Sequence, residues 1–150
     1  KEATGATMRD LLVPFDGSES AGRALEHAIA LARATTATVH VIHVYEEPAG
    51  YALGEVAVYF PRDELMSYLR EASEALRDAA AARLRAAGVP CVAESRVGPV
   101  AESIVDYAKT HHCDAIVMGT HGRSALGGLL MGSVATRVVH LTPVPVTLVK

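Results

Sequence analysis

The chain has 150 residues, half of them apolar, with 17 acidic and 14 basic side chains and a formal charge of −3. That length suits one domain with a proper core, and the composition excludes a disordered or collagen-like chain. The mild charge, with no Lys/Arg run, excludes nucleic-acid binding by phosphate neutralisation, and no apolar run approaches the ~18–20 residues that cross a membrane.

Residues 1–8 read as a disordered leader or expression remnant: the first seven are short and polar, with no apolar core for a signal peptide. Residues 9–150 read as one domain. Its first apolar run, residues 9–15, ends at the turn Asp16-Gly17-Ser18, as a strand buried on both faces would. Ser18 or Ser20 can cap the following helix, residues 21–34, which puts Leu25, Ala28, Ile29 and Ala32 on one stripe. Residues 38–45 form a second strand rich in β-branched side chains. Residues 46–61, with Pro48, Gly50 and Gly54, read as a mobile flap or a short edge strand, since Val56, Val58 and Phe60 alternate. A long helix over residues 62–87 stops at Gly88 and Pro90.

Strand three covers residues 91–97, and its charged Glu94 and Arg96 point to a sheet edge. Gly98-Pro99 starts the next helix, with proline in the first turn and Ile104, Val105 and Ala108 toward the sheet. After Asp114 a buried strand, residues 115–118, stops at Gly119. A glycine-rich loop then leads to a helix over residues 133–141. Residues 144–149 form strand five, and Pro145, unable to donate to a ladder, argues for an edge or an unusual neighbour. Strands alternating with helices imply a parallel α/β sheet with right-handed crossovers, whose ligands bind at the carboxyl ends of the strands. If strands one and four are neighbours, Asp16 and Gly119 line one crevice.

The spacing Gly119-x2-Gly122-x9-Gly132-Ser133 carries the chemistry. Gly119 lets the chain turn off the strand, and Gly122 allows close backbone approach to a ligand. Gly132-Ser133 opens a helix whose amides and hydroxyl can hold phosphate, and Arg123 adds a charge-assisted contact. Asp16 can bond a ribose hydroxyl, approach a metal ion carried by phosphates, or close an Asx turn. The strand-two backbone near Val41 can meet the edge of an adenine. His121 sits in the glycine loop as a ligand contact, with no adjoining carboxylate to orient it as a base. His40 and His43 lie on opposite faces of strand two and read as packing residues. The run His111-His112-Cys113-Asp114 does not point its side chains at one metal ion. No nucleophile-elbow, zinc-protease or Walker motif occurs.

Several stretches together resemble the universal stress protein family, in its ATP-binding subgroup. They are Leu12-Val13-Pro14-Phe15-Asp16-Gly17-Ser18, Arg23-Ala24-Leu25, Asp114 through Arg123, Gly132-Ser133-Val134-Ala135 and Val144-Pro145-Val146. The resemblance implies an open five-stranded parallel sheet in order 3-2-1-4-5 with helices on both faces, similar to adenine-nucleotide α-hydrolases. It implies ATP, with Mg that Asp16 would approach, and a homodimer joined through strand 144–149. Pro14, Phe15, Asp16 and Val41 match positions around adenine and ribose. Met118, Gly119, Gly122, Arg123, Gly132, Ser133 and Val134 match positions around ribose and phosphates. Phe15 is bulkier than the usual residue there, which tightens the adenine side, and Ala125 replaces a common glycine. The expected function is a nucleotide-dependent regulatory dimer of the cytoplasmic stress response that docks a protein partner. The alternatives are a slow ATP hydrolase, a nucleotide α-phosphate transferase, a cyclic AMP-binding protein in the same crevice, or an interaction module without nucleotide. Cys91 and Cys113, the only cysteines, fit a reducing cytosol.

Overall fold

The structure is a computed structural model that describes residues 7–49, 61–122 and 131–150. In chain order the elements are β1 (Asp10–Pro14), α1 (Glu19–Thr35), β2 (Thr38–Tyr45), α2 (Arg62–Ala86), β3 (Cys91–Val97), α3 (Val100–Thr110), β4 (Ala115–Gly119), α4 (Ser133–Leu141) and β5 (Val146–Val149). All neighbouring strands are parallel, and the sheet order is β3-β2-β1-β4-β5. The order expected from the family resemblance is therefore observed, with β3 and β5 at the edges. The expected flap or edge strand at residues 46–61 lies largely outside the described residues.

Continuous apolar runs make β1 and β4 central because both of their faces are covered. Leu11 and Val13 pack with Val39, Val41 and Val117 against α1 and α2, through Ala24, Leu25, Ala28 and Leu84. Leu12, Ile42 and Ile116 face the other way, against Ile104, Tyr107 and Ala108 of α3 and Val138 of α4. Each fully buried Leu or Ile in these layers contributes about 1.5–3 kcal/mol, several times any single helix propensity, so packing decides the layers.

Three boundaries differ from expectation for local reasons. Helix α1 begins at Glu19, because Ser18 caps it by accepting from the Ala21 amide at 3.2 Å. Ser20 is not the cap: its hydroxyl donates to the His121 carbonyl. Strand β5 begins at Val146 rather than residue 144. Pro145 stands before it and contributes only its carbonyl, which accepts from Ile116 N at 2.9 Å. Pro99 is the cap residue preceding α3, not part of its first turn.

At the amino end of the sheet, His40 is buried between Asp10 Oδ1 and the Tyr107 hydroxyl, each at 2.8 Å. Burial, with Asp10 and Asp114 adding, pushes the Cys113 thiol up from 9.0 to about 12. Burial also pushes the Tyr107 phenol up from 10.0 to about 12; Cys113, Glu94 and Asp10 add to this, and Arg96 opposes it. Both groups are charged only when deprotonated, so the folded chain holds more protons than the unfolded chain at alkaline pH. Their stabilisation is fully present below pH 9 and is lost as the pH rises toward about 12. Urea melts between pH 7.5 and 11 are expected to lose on the order of 2 kcal/mol from this effect, and Cys113→Ala to lose less. A pH-independent midpoint in both proteins would show that these groups are not linked to folding.

Candidate functional site

Chain winding reverses between β1 and β4, and a crevice of about 330 Å3 opens where their carboxyl ends part. Pro14, Phe15 and Asp16 leave β1 as one wall. Met118 and Gly119 through Gly122 leave β4 as the other, and Gly132 through Ala135 of the α4 entry close it. Ile42, His43 and Val44 of β2 and Val100 and Ile104 of α3 line its apolar side. The volume lies at the lower end of the range of ~300–1,000 Å3 usual for small-molecule sites.

The glycines have tasks other than the expected ones. Neither Gly119, Gly122 nor Gly132 takes a left-handed φ, so none is needed for a special turn. Gly119 is needed because α1 presses on it: a Cβ there would stand 2.8 Å from Ala21 N and Ser20 C, and closer still to Ser20 Oγ. At Gly132 a Cβ would meet Thr120 O at 3.2 Å, where the Gly132 amide already donates to that carbonyl at 2.6 Å. Gly122 is less crowded than the other two. Among the described residues its Cβ would meet one atom within 4 Å, Asp16 Oδ2 at 3.0 Å, across the crevice.

Asp16 therefore has two duties. Oδ1 accepts from the Ser18 amide at 2.9 Å, the Asx turn, and Oδ2 faces Gly122. Gly17 takes φ +80° in this turn, and Ser18 is spent on capping, so both shape the wall without lining it. His121 lines the crevice, with Nδ1 2.8 Å from Thr120 Oγ1 and its carbonyl held by Ser20 Oγ at 2.5 Å. The buried Thr120 hydroxyl thus orients its ring at Nδ1. Arg123 lies outside the described residues.

Val41 does not reach the crevice. Strand β2 alternates its backbone between its two neighbours: Ile42 O accepts from Phe15 N on the β1 side, while Val39 N and Tyr45 O bond Pro90 O and Gly98 N on the β3 side. Val41 thus spends its amide and carbonyl on β3, and its side chain is fully buried. Val44, in phase with Ile42, turns its backbone toward β1, whose ladder has already ended at Pro14↔Ile42. The backbone edge expected at Val41 is three residues on.

The helices begin on the side of the sheet where the strands end. Ser18 caps α1, and Glu46 Oε1 accepts from Val100 N at 3.2 Å at the start of α3. Helix α4 has Gly132 as its cap residue and no side-chain cap bond. Its first intrahelical bond runs from Thr136 N to Gly132 O, so the amides of Ser133, Val134 and Ala135 precede the ladder. Those three residues line the crevice. The positive end of α4, which carries no side-chain cap among the described residues, faces the crevice and can receive an anion. Val100, Ile104, Thr120 and Ala135 escaped the sequence reading because helical stripes and strand ends show which residues are buried, not which cavity they border.

The sequence model of the Universal stress protein family matches residues 7–150. A protein of Thermus aquaticus, the universal stress protein in the QAH/OAS sulfhydrylase 3′ region, is 38% identical over 144 residues, covering 95% of this chain and 99% of its own. Hypothetical protein MJ0577 of Methanocaldococcus jannaschii superposes with a TM-score of 0.84 at 30% identity, covering 96% of both chains. A universal stress protein solved in complex with cAMP superposes with a TM-score of 0.65 at 26% identity, covering 96% of this chain and 98% of that one.

Proposed function

The chain belongs to the universal stress protein family, and from that premise we propose that it is a regulatory protein of the stress response that binds ATP with Mg in the crevice between β1 and β4. The open N-terminus of α4 is the observation that carries this reading, because its three leading amides face a cavity beside a glycine-spaced loop. The phosphates would lie on Ser133 and Val134, with Gly132 and Arg123 at the loop ends. The ribose would lie near Asp16, Gly119 and Gly122. The adenine would enter between Phe15, Met118 and Ile104, its edge against the Val44 backbone. Asp16 Oδ2 suits a nucleotide-borne Mg, which takes one or two carboxylates rather than a protein cage. When bound, such an ion would supply charge neutralisation at the phosphates.

Residues 9–150 act as one domain in this reading, and the cytoplasm is its place, in keeping with the unpaired thiols of Cys91 and Cys113. The homodimer would form through β5, the sheet edge that carries Leu148 at 36% exposure, next to Val139 and Leu141 of α4 at 43% and 40%. A protein partner would read the nucleotide-bound dimer. Binding rather than hydrolysis is assigned, because no Asp or Glu adjoins His121 in the chain to orient it as a base. Cyclic AMP is the second reading, favoured by the relative solved with that ligand at 26% identity. Native mass spectrometry of freshly purified protein tests both nucleotides and the assembly together. Two chains carrying adenine nucleotide are expected. A bare monomer that gains no mass with ATP or cyclic AMP would overturn the proposal.

A further inference from the structure

The crevice is bordered by the first turns of three helices, through Ala21 of α1, Val100 of α3 and Ser133 to Ala135 of α4. Each turn is positive at its start and attracts anions. Their occupancy differs. At α1 the Ser18 hydroxyl takes the Ala21 amide, and Glu19 stands in the first turn. At α3 the cap residue, Pro99, makes no side-chain cap bond, and a carboxylate from elsewhere takes its place. Gly98 N donates to Tyr45 O at 2.9 Å, which sets the end of β2 beside the start of α3. Glu46, the next residue, then accepts from Val100 N through Oε1 at 3.2 Å. Glu102 adds a second carboxylate to the same turn. Its own backbone amide first, and Arg137 of α4 next, hold that carboxyl below the usual carboxylate range. At α4 the first turn has no acid, and its cap residue, Gly132, makes no side-chain bond.

The α3 and α4 ends of the crevice thus treat an anion in opposite ways. Among the described residues no cation pairs with Glu46, whereas the adjacent Glu47 accepts from Arg62 Nε at 2.6 Å and Nη2 at 3.0 Å. A phosphate brought to the Val100 amide would meet like charge well inside the Debye length of about 8 Å at physiological ionic strength. A phosphate brought to Ser133 meets amides and a hydroxyl. The side of the crevice next to Glu46 is otherwise apolar, through Ile42, Val44, Val100 and Ile104.

We propose that Glu46 is the orientation-determining residue of the crevice: it closes the α3 end to anions, so that a nucleotide enters with its phosphates on α4 and its uncharged base toward Val100 and Ile104. Glu102 reinforces it from the same turn. The inference rests on the nucleotide reading above and adds a rule for the ligand. A molecule with one anionic and one neutral end fits, and one that is anionic at both ends does not.

Amide-resolved NMR of the whole protein provides the test, with sodium tripolyphosphate as a base-free anion and ATP with Mg as the nucleotide. In wild type, tripolyphosphate is expected to shift the amides of Ser133 to Ala135 and to leave those of Val100 to Glu102 unmoved. Glu46→Ala, and more so Glu46→Ala with Glu102→Gln, should bring the α3 amides into the titration, with an affinity within about tenfold of the α4 end. Glu46→Gln keeps an acceptor for Val100 N but removes the charge, so it should fall between. With ATP, nuclear Overhauser contacts from the adenine protons should reach the methyl groups of Val100 and Ile104 in wild type, and those of Val134 as well in the double variant. Equal tripolyphosphate shifts at both helices in wild type, silent α3 amides in the folded double variant, or wild-type ATP bound with its adenine against Val134 would overturn the inference alone. Wild-type amides that respond to neither probe would remove the underlying nucleotide reading as well.

Discussion

Gly119→Val is expected to lower the melting temperature by roughly 2–12 °C. The cost of forcing extra atoms into a packed site is about 1–3 kcal/mol, and each kcal/mol moves a domain of this size by about 2–4 °C. Two of the three atoms nearest a Cβ at this position belong to α1 backbone. They cannot turn aside as a side-chain tip would. Helix α1 is also pinned where the clash falls, by the Ser18 cap and by the bond from Ser20 Oγ to the His121 carbonyl. The mutant must therefore move the helix, the strand end or the crevice wall. Gly22→Ala is the control within the same helix. Among the described residues its Cβ would meet only Arg83 Nη1, at 3.6 Å, and removing a helical glycine is worth about 0.5–1 kcal/mol of stability. Thermal melts of both variants by circular dichroism should move in opposite directions. Wild-type melting of Gly119→Val would show that α1 does not press on this strand end.

Gly122→Val is expected to keep the fold and lose at least about tenfold in ATP affinity, a change of about 1.4 kcal/mol. Its Cβ would point into the crevice and, among the described residues, meet only Asp16 Oδ2 at 3.0 Å. The branched methyl groups then occupy space that the ribose or phosphates would use, and they crowd the carboxylate proposed to face them. Stability should change little, because among the described residues no backbone lies within 4 Å of that Cβ. The pair of variants thus separates two glycines that look alike in the sequence: one is required by the protein's own packing, the other by a ligand. ATP affinity equal to wild type in folded Gly122→Val would mean that no ligand passes this point.

That distinction explains how much could be read from the chain alone. Strand and helix positions were legible because apolar runs, the Gly88 stop and the Ser18 cap act locally, and β2 and β3 matched to the residue. The crevice walls at Asp16, at Gly119 and Gly122, and at Gly132 to Val134 followed from the glycine spacing and the family resemblance. Val41 was misplaced because backbone direction in a strand alternates with every residue. Its phase depends on a register, fixed here by Phe15 N bonding to Ile42 O, that no local pattern reveals. The pressure of α1 on Gly119 and the hold of Glu46 on α3 are contacts between distant segments, equally invisible in composition. His43 read as a packing residue since one partner, Ser73, sits 30 residues away on a helix whose other buried positions are alanine and leucine.

The central claim is that the crevice holds an adenine nucleotide with its phosphates on α4. Isothermal titration of ATP and Mg into nucleotide-stripped protein tests it most directly. One saturable site per chain is predicted, weakened at least about tenfold by Gly122→Val and left intact by Gly22→Ala. No saturable heat up to millimolar ATP with correctly folded protein, or equal binding by Gly122→Val, would contradict it.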